Sequence, residues 1–284
     1  MKVVWVLENI EKNSNFYSKF NLLLLLCSVH LWRKNNPEDI CFLYADDLTI
    51  DLLDKLKVLG FWNRVKPIPN PRKINKSVFW ASSKLQVLSE IDEPIIIMDN
   101  DTHVYKPIKH LLNLNEYYVC NYEIGKGYYP TSVDPYIQKI SYKTRWKTDS
   151  VNVSFLNLPE PSFTKMYANM SLDMMEELTA LKAPNPNYLI FSEQLLFKHL
   201  LDREEKPHNS IISTYWNCKE WEWGDSHDKG IWKINDSEQF FKHYGPSKTY
   251  YFSNKLGYEY DSHMKHLLNC INFPNLNLSV IEKP

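Results

Sequence analysis

The 284 residues carry a formal net charge of −1, so no basic footprint points to nucleic acid, and the length suits one large α/β domain with a sizeable core. Only 7 glycines occur, and no GxGxxG or GxxxxGK(S/T) loop is present, which removes the phosphate cradle of dinucleotide and P-loop sites. Cys27, Cys41, Cys120, Cys218 and Cys270 show no CxxC spacing and read as reduced thiols of an intracellular, cytoplasmic protein.

Lys2–Leu7 is predicted as a strand, β-branched and aromatic residues standing in a row. The apolar start is interrupted by Glu8 and lacks the pattern of a signal peptide. Glu8–Ser18 reads as a loop and Lys19–Lys34 as a helix ended by Asn35-Asn36-Pro37. Its greasiest run, Leu22–Leu26, is far too short to span a bilayer. A second buried strand, Ile40–Tyr44, closes on Asp46-Asp47. A helix over Thr49–Leu59 follows, with Gly60 as its stop, then a strand within Trp62–Ile68. Ile74, Val78, Ala81, Leu85 and Leu88 recur at spacings of four and three, which predicts an amphipathic helix.

That helix leads into Ile95–Met98, an apolar run that reads as a strand buried on both faces. It ends in Asp99-Asn100-Asp101. Side chains alternate along an extended chain, so the two carboxylates can point the same way. They repel unless a cation sits between them, and a hard divalent ion suits oxygen ligands and substrate phosphates. Ligands of open α/β sheets gather at such strand ends. A metal–diphosphate site is therefore the first expectation. An Asp pair serving only as turn or helix cap is the plain alternative.

Beyond Lys106 the strand–helix alternation loosens. Tyr117–Cys120 and Val151–Leu156 read as strands around a Gly/Pro/Tyr-rich loop at Gly125–Pro135. Phe163, Met166, Tyr167, Met170, Met174, Leu178 and Leu181 form a helical stripe. Ser192 is placed to cap a helix carrying Glu193, Gln194, Leu196 and His199. The aromatic-rich stretch after Pro207 closes the core or stacks on a sugar.

This layout resembles the GT-A fold glycosyltransferases, especially the glycogenin-like group and related enzymes of bacteria and large DNA viruses. Four stretches carry the likeness: Lys84 before the Asp99-Asn100-Asp101 strand; Val151–Asn157, similar to the family's N-A-G-V-x-x-x-N strand; Ser192-Glu193-Gln194, where the family has an Asp-Gln pair; and Lys242–Lys248, similar to its late H-x-x-G-x-x-K-P-W segment. Val153-Ser154 replaces Ala-Gly, Glu193 replaces Asp, and Thr249-Tyr250 replaces Pro-Trp. The spacing from His243 to Gly245 is one residue shorter than in the family.

The resemblance implies a single α/β domain over residues 1–284, with a mostly parallel, Rossmann-like sheet flanked by helices. Residues 1–110 would bind the nucleotide-sugar, and 111–284 would form a smaller acceptor-side half with a closing segment. It implies Mn²⁺ or Mg²⁺ on Asp99, Asp101 and His243, and Lys84, Asn152 and Gln194 at the donor. Asn100 would meet the ribose, Val6 and Leu7 would flank the base, and Asp46 would hydrogen-bond nearby. Lys248, with Asp101, would stabilise the leaving diphosphate, and Glu193 would bind sugar hydroxyls or act as base. The implied activity moves a sugar, from a UDP-sugar, to a glycan, protein or lipid-linked acceptor. Homo-oligomerisation is left open; no membrane span is expected. A haloacid-dehalogenase-like phosphatase also places DxD after an apolar strand, but it has Thr or Val where His103 stands. A catalytically inactive carbohydrate-binding GT-A domain is the third reading.

Overall fold

The computed structural model describes residues 1–8, 19–69, 72–125, 129–130, 133–142, 149–185, 187–212, 215–217, 222–224, 241–243 and 269. In chain order the elements begin with β1 (Lys2–Leu7), α1 (Lys19–Asn35), β2 (Ile40–Ala45), α2 (Asp47–Lys55), β3 (Arg64–Pro67), α3 (Ser82–Glu90), β4 (Ile95–Met98) and β5 (Thr102–Val104). There follow β6 (Tyr117–Ile124), β7 (Ser150–Leu158), α4 (Pro161–Ala180), α5 (Asn187–Ile190), a π-helical turn (Phe191–Leu195) and α6 (Leu196–Arg203). Last come β8 (His208–Ser210), β9 (Tyr215–Asn217), β10 (Glu222–Gly224) and β11 (Phe241–His243). Two compact units share the chain: Met1–Pro67 with Met98–His110 and Asn235–Pro284, and Ile68–Ile97 with Leu111–Ile234.

In the first unit β1, β2 and β3 run parallel, with Lys2 opposite Ile40 and Phe42 opposite Arg64. Val3, Val4 and Trp5 are fully buried, as a strand covered on both faces requires. The exposed residues of β3, Arg64, Lys66 and Pro67, suit a strand at a sheet edge, where charge and proline deter further pairing. Leu22 to Val29 of α1 are all buried, so that run is core, as its length predicts. The start of α2 is held by Asp46, whose carboxylate accepts from Thr49 N at 2.9 Å. Its end differs from the sequence reading. The helix stops at Lys55, Lys57 takes the left-handed conformation at φ 58°, and Gly60 lies inside a separate 3₁₀ turn, Leu59–Phe61.

In the second unit the strand order is β10-β9-β6-β7-β4, with β8 also on β6. β6 pairs antiparallel with β7, across an irregularity between Val119 and Asn121, and parallel with β8 and β9. Parallel pairs predominate through the two units, so the expected α/β class with a mixed, mostly parallel sheet holds. Phe163, Tyr167, Met174 and Leu178 are buried on α4, as their stripe predicts. Tyr167 stacks edge-on against Phe197 at 4.7 Å between ring centroids.

Two expectations fail here. The helix expected from Ile74 begins only at Ser82. Ile74 and Val78 are buried, but they sit in turns where the Asn75 side chain accepts from Ser77 N and Oγ. Such local bonds compete with the helix ladder. Ser192 is no cap either. It lies inside the π-helical turn and its hydroxyl donates to the Tyr188 carbonyl at 2.7 Å.

Candidate functional site

The Asp99-Asn100-Asp101 segment belongs to the first unit. β4 is buried at all four residues, and the chain turns as soon as it leaves the strand: Thr102 N donates to the Asp99 carbonyl at 3.1 Å. The carboxylates therefore stand on a tight turn, and strand alternation does not set their direction. Asp101 is only 3% exposed. Asn100 donates through Nδ2 to the Val6 carbonyl at 3.2 Å, which joins this turn to the end of β1. Its Oδ1 is buried with no partner among the described residues. A buried acceptor left unpaired costs about 1–3 kcal/mol, so a donor reaching this oxygen would be favoured.

β5 continues from the turn and pairs antiparallel with β11, His243 opposite Thr102 and Phe241 opposite Val104. Backbone register thus sets His243 opposite Thr102, one residue beyond Asp101, although the His lies far along the chain. Two carboxylates and an imidazole suit a divalent ion such as Mn²⁺ by donor chemistry, and Mg²⁺ through the carboxylates alone. Among the described residues no group of three or more His, Cys, Asp or Glu is set to hold a metal; His243 enters by its backbone alone. Lys248 lies outside the described residues.

The turn is fastened from behind. Trp5 Nε1 donates to Ser28 Oγ at 2.9 Å, and Ser28 Oγ donates to the Thr102 carbonyl at 2.6 Å. His103 Nε2 lies 2.9 Å from the Leu24 carbonyl. Val6 is half-buried and Leu7 is buried, paired with Tyr44 and Ala45 of β2. Asp46 has both carboxylate oxygens engaged, on Thr49 N and Thr49 Oγ1, each at 2.9 Å. Its observed work is to cap α2.

The second unit gathers the other expected residues. Lys84 Nζ stands 2.6 Å from Glu193 Oε1, and both side chains are less than a tenth exposed. Lys84 also donates to the Val153 carbonyl at 3.4 Å. Glu193 sits in the π-helical turn, where its own carbonyl accepts from Tyr167 Oη at 3.2 Å. Such turns recur at functional sites. Asn152 spends its side chain locally: Nδ2 donates to Glu123 Oε1 at 3.3 Å, and Oδ1 accepts from Ser154 N at 3.0 Å. Tyr129 Oη meets Glu123 Oε2 at 2.5 Å and the Gln194 side-chain amide at 3.0 Å. Sequence reasoning missed Glu123 and Tyr129. The available signal was an acid within an otherwise strand-forming run, Tyr117–Ile124.

The chain belongs to DUF6734, a family of unknown function, whose model matches residues 10–250. No curated protein matches it in sequence. Among solved structures it is similar to an active-site mutant of LgtC, at 12% identity and a TM-score of 0.49, covering 95% of each chain. It is also similar to the PaToxG glycosyltransferase, at 12% identity and a TM-score of 0.41, over 72% of this chain and 69% of that one. A third likeness is to the glycosyltransferase GlyE of Streptococcus pneumoniae TIGR4, at 11% identity and a TM-score of 0.45, over 99% of this chain and 61% of the other. No helix among the described residues is long and apolar enough to cross a membrane.

Proposed function

We propose that this protein is a metal-dependent glycosyltransferase that moves a sugar from a UDP-sugar to a glycan, protein or lipid-linked acceptor. The observation that carries the reading is the Asp99–Asp101 turn: a buried carboxylate and a buried amide oxygen lie beside the strand pair that sets His243 opposite Thr102.

Asp99, Asp101 and His243 would hold Mn²⁺ or Mg²⁺. A divalent ion bound there supplies Lewis-acid stabilisation of the diphosphate leaving group. Asn100 Oδ1 accepts a hydrogen from the ribose, while its Nδ2 keeps the end of β1, at Val6, in place beside the base. Lys248 adds positive charge where the leaving group becomes negative. Within the second unit, Glu193 offers its carboxylate to sugar hydroxyls, Lys84 balances that charge, and Gln194 adds an amide to the donor sugar.

Thermal unfolding with UDP, GDP, CMP and TDP, each with Mn²⁺ or with EDTA, tests this on wild type and Asp101→Ala. A ligand that binds only the folded state raises the midpoint. The expected result is stabilisation by UDP with metal alone, abolished in Asp101→Ala. Stabilisation by metal with inorganic phosphate, and by no nucleotide, would support the phosphatase reading instead.

A further inference from the structure

Glu123 and Tyr129 have no part in the proposed function, yet both are more than nine-tenths buried; Tyr129 reaches Gln194, and Glu123 accepts from Asn152. Among the described residues, Tyr129 Oη lies within hydrogen-bond distance of Glu123 Oε2 at 2.5 Å and of Gln194 Oε1 at 3.0 Å. A phenol has one proton to give. The 2.5 Å contact has the length of a hydrogen bond from a hydroxyl to a carboxylate. With the proton committed to Glu123, the phenolic oxygen faces Gln194 as an acceptor. Two acceptors facing each other make no bond. A half-turn of the terminal amide exchanges O and N at no change of shape, and it brings an N–H onto the phenol.

We propose that Tyr129, anchored by Glu123, is a positioning residue. It draws the Gln194 NH₂ onto its own oxygen and so presents the Gln194 carbonyl oxygen to the ligand. The hydrogen bonds then run in one direction, from Gln194 N–H to Tyr129 and from Tyr129 O–H to Glu123. Gln194 is half-buried, and the turned amide directs its carbonyl oxygen away from Tyr129. An acceptor there takes a hydroxyl hydrogen and disfavours an acetamido oxygen or a carboxylate at the same place. Resting on the glycosyltransferase reading, this assigns the donor sugar a free hydroxyl against Gln194.

Two measurements on the full chain test it. In the first, without ligand, the Gln194 side-chain NH₂ resonances are assigned in a ¹⁵N–¹H spectrum by their loss in Gln194→Leu. Tyr129→Phe should shift them. Resonances that stay in place would overturn the orientation, whatever the protein's activity. In the second, calorimetry with MnCl₂ compares UDP with UDP-glucose, UDP-galactose and their singly fluorinated analogues. Fluorine cannot donate a hydrogen bond. At one hydroxyl position fluorination should weaken wild-type binding about tenfold, and Tyr129→Phe should erase that difference while UDP still binds. A difference that persists in Tyr129→Phe, or no sensitive position at all, overturns the inference and leaves the glycosyltransferase reading standing. No binding of UDP or any UDP-sugar by wild type overturns both.

Discussion

Lys84 Nζ lies 2.6 Å from Glu193 Oε1, with 9% and 6% of the two side chains exposed. One comes from the helix before β4 and the other from a π-helical turn. Removing one partner of such a pair strands a buried charge, which costs about 3–5 kcal/mol. Lys84→Met should lower the urea stability by that amount. The joint variant Lys84→Met with Glu193→Leu should recover most of the loss, since both desolvation costs disappear together. A cost under about 1 kcal/mol for the single variant would show that water screens the pair.

Ser28 is the link between Trp5 and the carbonyl of Thr102, directly after the acidic turn. Ser28→Ala leaves the buried Trp5 indole N–H without its acceptor and removes the hydroxyl bond to the Thr102 carbonyl. We expect a loss of about 1–3 kcal/mol in denaturant unfolding. UDP affinity with Mn²⁺ should fall as well, because the turn loses one of its bonds to α1. Unchanged stability would mean that these groups find other partners.

Asp46 accepts from Thr49 through both oxygens at the start of α2. Asp46→Ala should cost about 1 kcal/mol, the usual loss for a helix cap, and Asp46→Asn should recover most of it. If Asp46→Asn instead preserves stability but abolishes metal-dependent UDP binding, Asp46 touches the nucleotide as well.

The imidazole of His208 is held below its ordinary value of 6.5, chiefly by burial and further by Lys198; the bond to the Lys206 carbonyl and the Asp202 charge oppose this. The unfolded chain then takes the proton first. Stability should be complete above pH 6.5 and decline as the pH falls, flattening once the folded form is also protonated. His30, lowered by burial and then by Lys34 and Arg33, acts with the same sign. Urea midpoints between about pH 5 and pH 7.5 should show this slope, reduced in His208→Gln. An identical slope in that variant would assign the effect elsewhere.

Much of the fold was legible because it is written in short-range patterns. The runs Lys2–Leu7, Ile40–Tyr44 and Ile95–Met98 are apolar over a strand's length, and burial on both faces asks for nothing else. The α4 stripe follows the helical period, and proline and asparagine end α1 where the sequence places them. The same rule failed at Ile74 and Val78, because two buried residues at helical spacing can also be seated by turns. The deciding bonds come from one asparagine side chain. β5 is three residues long and exists as a strand through its pairing with β11, so no local pattern announces it.

The sequence by itself therefore determined the α/β class, the main strands and the acidic stretch after β4, since each depends on residues within one or two turns of chain. Tertiary structure alone decided that Asp99-Asn100-Asp101 is a turn, that Asn100 reaches Val6, and that β11 brings His243 opposite Thr102. It also decided that Lys84 meets Glu193 and that Tyr129 stands between Glu123 and Gln194, the last of these 65 residues beyond Tyr129 in the chain. Hydrogen bonds and ion pairs act over a few ångströms, and which distant residues come that close is settled by packing. Residue order along the chain carries no such information.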